Sequence, residues 1–298
     1  IDFIYGMTLN NNPTVSDVWN STPAFGYPYA SSSVSLTPMV STLIDGGLAQ
    51  QVAGVTAYAF WQRSIYAEFG LYRTADKMFS FLRAGQDTAS PGGVARLSGS
   101  NPYWRLAYNA EWGPHSLMLG TYGLIADKYP DNTIPVSPTD RFTDIAFDTQ
   151  YQYLTYTHSI TAQATWIHEK QSWDASFSSG GIGEGPTPSN STDTLNTFKA
   201  KASYYFHRKY GATVAYFQTT GSTDAGLYGS APVTGSANGT PNSNGITLEA
   251  DYLPIPQVKL SVQYTWFLKF NGARYNYDGN GRNASDNNTL YLLAWLVF

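Results

Sequence analysis

The sequence predicts an all-β fold: a transmembrane antiparallel up-and-down β-barrel of about twelve strands, with short periplasmic turns and long extracellular loops. Three observations predict it. Apolar and polar residues alternate in segments of about ten residues, long and short connections alternate between those segments, and charged residues make up only 13% of the chain. The two-residue period is expected because successive side chains of a barrel strand point in turn to lipid and to a wet interior.

The composition agrees with a single barrel domain over residues 1–298. The 23 tyrosines, the 8 tryptophans and a mean hydropathy of −0.28 suit a molecule with one lipid-facing and one wet face. The chain has no cysteine, which excludes disulfides, thiolate metal sites and c-type haem attachment within it. The excess of 21 acidic over 17 basic residues disfavours nucleic acid as a partner. A soluble β-sandwich is the alternative that composition leaves open.

The first six predicted strands show the alternation directly. In the segment 64–73, Ile65 and Leu71 share one face. Glu68 lies on the opposite face, where a wet interior accepts its charge. The six segments are 2–10, 51–62, 64–73, 102–113, 115–125 and 141–153.

The six later strands follow the same rule, and the segment 257–270 is the most regular of them. There Val258 and Trp266 share one face, and Lys259 lies on the other. The pattern leaves the facing of the segment 210–220 undecided. The six segments are 158–171, 194–206, 210–220, 245–253, 257–270 and 288–298.

The connections alternate strictly between short and long, a rhythm that a sandwich has no reason to keep and that an outer-membrane barrel has. Twelve strands joined in this way put both termini on the periplasmic side. No basic segment followed by an apolar one opens the chain, so we expect that a signal peptide has been removed or that the numbering starts at the mature protein. A helical turn is predicted at 77–83. For the first loop the sequence leaves three courses open: into the lumen, outward, or against a neighbour. Short turns are predicted near 62–64, 113–115, 154–158, 207–210 and 253–257, and long loops at 11–50, 74–101, 126–140, 172–193, 221–244 and 271–287.

Charged residues keep to one face of the clearest strands. A lipid-facing Lys or Arg at mid-depth costs about 2–4 kcal/mol, which favours this segregation, although a soluble sheet also segregates its charges. We expect the charged face to line the lumen, either as opposed walls of a constriction or as pairs that close it. The lumen candidates are Glu68, Arg105, Glu111, Asp144, Asp148, Glu169, Lys199, Lys201, Glu249, Asp251, Lys259 and Lys269.

Tryptophans occupy the opposite, apolar face near predicted strand ends. Trp104 and Trp112 lie eight residues apart on one strand, a separation of about 26 Å at the usual rise per residue. This spacing suits the two aromatic girdles of a membrane barrel, whereas the alternative is the core of a sandwich. The girdle candidates are Trp61, Trp104, Trp112, Trp166 and Trp266.

The end of the chain is an alternating apolar strand that finishes on an aromatic residue. It resembles the C-terminal signal by which outer-membrane barrels are recognised for insertion, carried here by Leu290, Leu292, Leu296 and Phe298. The segment 270–289 before it reads Phe-Asn-Gly-Ala-Arg-Tyr-Asn-Tyr-Asp-Gly-Asn-Gly-Arg-Asn-Ala-Ser-Asp-Asn-Asn-Thr.

Together these two segments resemble the last hairpin of a loosely defined group of proteobacterial outer-membrane proteins, over about thirty residues. Some members of that group are labelled cytochrome-like because of a haem-attachment motif near the N-terminus. This chain has no Cys-x-x-Cys-His, so haem binding is not carried over. The resemblance implies a Gram-negative outer-membrane barrel, from an organism with outer-membrane electron traffic.

Other chemistries find little support, so we expect no enzyme activity, cofactor or metal. Asp278, Asn280, Asn283 and Asp286 lack the spacing of a calcium loop and are typical turn residues. His168 and Glu169 are adjacent on a strand and therefore point to opposite faces, which argues against an acid–base pair. The other histidines, His115, His158 and His207, lie at or beside predicted short turns.

Three functions remain at this stage. The favoured one is a porin-like channel for passive transport of small polar solutes or ions across the outer membrane, with outer-membrane lipid and lipopolysaccharide around it. The alternative is a structural barrel that encloses or docks a partner such as a c-type cytochrome. A homo-oligomer is compatible with both, and a barrel hydrolase is the least favoured.

Overall fold

The chain folds as one antiparallel sheet of twelve strands in which every strand pairs with its neighbours in sequence. The computed structural model describes residues 2–23, 35–83, 95–133, 135, 138–177 and 187–297. The strands are β1 (Phe3–Asn10), β2 (Val52–Trp61), β3 (Ile65–Thr74), β4 (Asn101–Trp112), β5 (His115–Lys128), β6 (Asp140–Leu154), β7 (His158–Ser172), β8 (Thr192–Phe206), β9 (Tyr210–Gly221), β10 (Ser243–Ile255), β11 (Val258–Lys269) and β12 (Thr289–Leu296).

The predicted strands and their alternating connections are confirmed. Each predicted segment overlaps its observed strand, and the ends differ by three residues at most. The hairpins that close on short turns bring Trp61 opposite Ile65 and Trp112 opposite His115. The predicted helical turn is present at Lys77–Leu82, and further short helical turns lie at Leu43–Gly47 and Ala284–Asn287. No helix in the described ranges is long and apolar enough to cross a membrane.

The two faces of the sheet differ as the alternation predicts. Along β3, Phe69 and Leu71 are exposed on the outside, whereas Glu68 and Tyr72 are buried on the inside. On β9, whose facing the sequence leaves undecided, Thr213 and Ala215 are buried and therefore face inward. An up-and-down sheet with an exposed apolar outer face and a polar inner face has the architecture of an outer-membrane β-barrel.

A large apolar cluster lies in the interior along β2 to β7. Twelve buried side chains form a continuous apolar cluster there, and two of them, Ile44 and Leu48, come from the first long loop. A second cluster joins Trp19 of the same loop to Tyr66 and Met118 on the wall. The described parts of the first loop, residues 11–23 and 35–50, therefore pack inside the sheet.

Strands β1 and β12 are the two edges of the sheet, and no ladder joins them within the described residues. They run antiparallel, because an even number of strands in this order gives the first and last strands opposite directions. The predicted strand order is thus present, and the part of the chain that the structure describes shows no pairing between these two edge strands.

Candidate functional site

The interior site is built from the first long loop and the strand walls that it contacts. Gln163 of β7 donates a hydrogen bond to the carbonyl oxygen of Trp19, 2.8 Å away. The backbone N–H of Met39 donates to Asn271, beyond the end of β11, at 3.1 Å. Asp45 forms an ion pair with Lys199 of β8 at 2.7 Å. The described parts of the first loop, residues 11–23 and 35–50, therefore reach several walls of the interior, and of the three courses predicted for the loop these parts take the inward one.

Arg105 anchors the first part of this loop. Its Nη2 atom donates to Asp148 of β6 at 2.8 Å and to Asp17 of the loop at 3.3 Å, and all three side chains are fully buried. Trp19 lies 5.6 Å from the guanidinium carbon, within cation–π range. The hydroxyl of Ser21 donates to the same Asp148 carboxylate at 2.5 Å. Three loop residues are thus held to the wall around one arginine.

A pair of carboxyl groups anchors the second part of the loop. Asp144 of β6 lies directly across the ladder from Glu169 of β7. Asp144 accepts a hydrogen bond from the backbone N–H of Ile44 at 3.2 Å, and Glu169 accepts one from Leu43. The pair therefore supplies acceptors to backbone N–H groups at the start of the helical turn Leu43–Gly47, which would otherwise be buried without partners.

A mixed-charge wall lies on the other half of the interior, on β8 to β11. Lys259 contacts Glu249 and Asp251, each at 3.1 Å. Asp251 also accepts a hydrogen bond from Tyr205 at 2.5 Å. Lys201 lies within electrostatic range of Glu249 and Lys259. The Lys259 side chain keeps 31% of its surface exposed, so this wall stays wet.

A cavity of about 290 Å³ separates the first loop from this half of the sheet. Residues 35–45 form one side of it, and β8 to β12 form the other. Its lining is rich in hydroxyl and amide groups, with three aromatic side chains among them. The strand residues that line it are Thr197, Lys199, Phe217, Gln218, Thr219, Thr247, Gln263, Thr265, Phe267, Thr289 and Tyr291.

The twelve predicted lumen residues fall into three groups and two outliers. Glu68, Arg105 and Asp148 belong to the region around the first anchor, where Glu68 accepts a hydrogen bond from Tyr66 at 3.0 Å. Asp144 and Glu169 form the second anchor, and five others lie on the mixed-charge side. Glu111 and Lys269 are exposed at the ends of β4 and β11, away from these groups. That the inward charges select solutes stays a prediction.

The loop side chains that complete the site are not marked by the alternating pattern of the sequence. Asp17 and Asp45 provide counter-charges for Arg105 and Lys199, yet neither lies in an alternating segment. The only local sign was the pair of acidic residues in an otherwise uncharged loop. The pattern does not mark the inward tyrosines Tyr66 and Tyr205 as carboxylate partners either, because an aromatic residue is expected on either face.

The predicted girdle residues face outward. Trp61, Trp112 and Trp266 keep 46%, 49% and 49% of their surface exposed, Trp166 keeps 38%, and Trp104 is half-buried. In the predicted insertion signal, Leu290, Leu292 and Leu296 are exposed on the outer face of β12. Phe298 lies outside the described residues.

The residues considered for other chemistry make local polar contacts. His115 and His158 each contact a tyrosine hydroxyl at 2.8 Å near the short turns. His168 contacts Asn196 and, as predicted, points away from the buried Glu169. The Asp278 carboxylate accepts backbone N–H groups, as expected of a turn residue. No group of three His, Asp or Glu side chains suited to a metal ion is found in the ranges that the structure covers.

No protein-family model and no curated protein sequence matches this chain. Among solved structures, it is similar to OmpT, an outer membrane protein of Vibrio cholerae, with 11% identity and a TM-score of 0.45 over 98% of this chain and 74% of that one. It is also similar to the NanC porin, with 9% identity and a TM-score of 0.33 over 84% of this chain and 95% of that one. Both likenesses are distant, so the strand order and the facing of this chain's own side chains carry the fold assignment. By those criteria the chain is an outer-membrane β-barrel.

Proposed function

We propose that the protein is a narrow channel for passive passage of small polar solutes or ions across the outer membrane. The observation that carries this proposal is the asymmetry of the interior. Among the described residues, the apolar clusters that include Trp19, Ile44 and Leu48 of the first loop lie along β2 to β7. Toward β8 to β12, residues 35–45 leave a cavity beside the wet wall. A loop that filled the lumen evenly would leave no such path.

The charges along this path support a passage for solutes of either sign. Three lysines (Lys199, Lys201, Lys259) are set against three carboxylates (Asp45, Glu249, Asp251), so their formal charges cancel. Charged side chains that line a pore select by sign only when one sign is in excess. We therefore expect weak selectivity between anions and cations and stronger selectivity by size.

Planar-bilayer recording tests the proposal. Purified, folded protein should give discrete current steps with a reversal potential near zero in a salt gradient. Lys201→Glu changes the charge of the path by two units toward negative, so it should shift the reversal potential toward cation selectivity. Lys209→Glu is the matched control, because Lys209 lies beyond the short-turn end of β8 and packs over Tyr210.

Two results would contradict the channel. One is silence of the folded protein in the bilayer, and the other is an equal shift in Lys201→Glu and Lys209→Glu. Contact with outer-membrane lipid and lipopolysaccharide follows from the apolar outer face and is part of this proposal. Docking of a cytochrome or of a second copy stays a prediction from the sequence.

A further inference from the structure

The cavity beside the first loop has the volume of a small-molecule site. Its value of about 290 Å³ lies just below the range for ligand pockets, which is about 300–1,000 Å³. Residues 35–45 lie on one side of it, and strands β8 to β12 lie on the other. Its volume therefore suits a solute smaller than a typical drug molecule.

The polar groups of the cavity are neutral in sum. Lys199 and Asp45 line it, but they pair with each other at 2.7 Å. The remaining polar lining consists of hydroxyl and amide groups, which both donate and accept hydrogen bonds. A carboxylate, an ammonium or an inorganic ion would need an uncompensated opposite charge, which this lining does not offer.

One hydroxyl of the lining lacks a partner. Thr197 is 1% exposed, and its Oγ1 atom has no hydrogen bond among the described residues. Across the wall, Thr247 and Thr265 share only a long contact of 3.3 Å. A buried hydroxyl without a partner costs about 1–3 kcal/mol, so a bound group that hydrogen-bonds to it is stabilised.

The apolar part of the cavity is concentrated near its extracellular end. The rings of Phe217 and Phe267 meet edge to face with their centroids 5.5 Å apart, and Leu36 of the first loop packs on the same cluster. The cavity thus presents an aromatic surface next to a row of hydroxyls. A ring that carries hydroxyls at its edge and C–H bonds on its face matches both surfaces.

We propose that this cavity binds a neutral polyhydroxylated solute of monosaccharide size as it passes through the channel. The inference rests on the proposed function and names the class of solute. The hydroxyls of the solute bond to Thr197, Thr247 and their neighbours, and its C–H face packs on Phe217 and Phe267.

Current block by D-glucose tests the inference, with glycine as a zwitterion of smaller size. Glucose should reduce the single-channel current of the wild type at concentrations where glycine has a smaller effect. Thr197→Val and Thr247→Val keep the side-chain shape and remove one hydroxyl each. Each should raise the half-blocking glucose concentration about three- to ten-fold. Thr143→Val is the matched control, because Thr143 faces outward on β6.

Failure of this inference and failure of the channel are distinguishable. Conductance with equal block by glucose and glycine, or with equal behaviour of Thr197→Val and Thr143→Val, overturns the inference and leaves the channel standing. If the folded protein does not conduct, the channel fails, and equilibrium dialysis with labelled glucose decides the inference alone. Saturable binding that Thr197→Val weakens supports it, and an absence of binding overturns it.

Discussion

At the scale of single residues, Arg105 shows how a buried ion pair holds the first loop to the sheet. It is among the largest fully buried side chains of the described residues, and it pairs with carboxylates from two distant parts of the chain. Replacing a buried ion pair by apolar residues is often tolerated, but removing one partner leaves the other charge buried without compensation. Arg105 therefore matters for the first loop mainly because its removal would leave buried carboxylates without a counter-charge.

We therefore expect Arg105→Met to destabilise the protein by about 3–5 kcal/mol, because Asp17 and Asp148 would remain buried without their counter-charge. Urea unfolding in detergent or phospholipid vesicles, followed by tryptophan fluorescence, measures this change. The conductance of the variant should also rise, since the first part of the loop loses its anchor.

Arg63→Met is the matched control for this change. Arg63 pairs with Asp2 at a similar distance of 2.8 Å, but the two side chains are 70% and 47% exposed. An exposed pair contributes about 0–1 kcal/mol, so this variant should unfold near the wild-type midpoint. Equal losses in the two variants would show that the burial of Arg105 carries no special weight.

At the scale of elements, the extracellular loops have anchors of their own, and Asp224 is the clearest of them. Its carboxylate accepts backbone N–H groups of Ser189 and Asn190 from the loop after β7. It also accepts those of Gly226 and Leu227 from the loop after β9. Burial raises the pKa of Asp224, but these N–H donors outweigh that effect and hold the pKa below its ordinary value of 3.8.

The depressed pKa predicts the direction of a pH effect. When the loops open, the Asp224 carboxylate binds a proton more tightly than it does in the folded loops. The charged carboxylate therefore stabilises the folded loops at a pH above its ordinary pKa of 3.8. That stabilisation is lost as the pH falls below this value and through the folded pKa. Hydrogen exchange should show falling protection at Ser189, Asn190 and Gly226 as the pH is lowered to about 2.

Asp224→Asn is the variant that separates this effect from general acid unfolding. It keeps the size of the side chain and removes the titrating group, so the protection of both loops should be low and nearly independent of pH. Amides of β9 should remain protected in both proteins over the same range. If the variant follows the pH profile of the wild type, Asp224 is not the group responsible.

At the scale of the whole molecule, the strands were predictable and the loop inside them was not. A period of two residues is a local property, so each strand shows it without reference to its neighbours. The anchors of the first loop are non-local: Asp17 meets Arg105 at a separation of 88 residues, and Ile44 meets Asp144 at 100. No local pattern marks such contacts, which explains why the sequence left the course of this loop open.

The two edge strands of the sheet, β1 and β12, also matter at the scale of the whole molecule. In the hydrocarbon layer, backbone N–H and C=O groups find no water, so each unpaired group costs several kcal/mol. Strands β1 and β12 each have eight residues, run antiparallel and carry exposed apolar side chains, such as Tyr5 at 75% and Leu292 at 68%. We therefore expect these two strands to pair with each other when the protein lies in a membrane.

Paired cysteines test this closure on a clean background, because the chain contains no cysteine of its own. Tyr5→Cys is combined in turn with Leu290→Cys, Leu292→Cys, Ala294→Cys and Leu296→Cys, which together sample the outward positions of β12. One or two adjacent combinations should form a disulfide within a single chain in lipid vesicles, and the reactive combination gives the register of the seam.

The control combines Tyr5→Cys with Val214→Cys, which faces outward on β9 and lies three strands away from β12 in the sheet. This pair should stay reduced. Within one molecule in lipid, each of the two edge strands has only the other as a partner. If every disulfide of the series joined two chains, β1 and β12 would instead complete their hydrogen bonding with a second copy. The passage along β8 to β12 would then lie beside a subunit interface, and its width would depend on assembly.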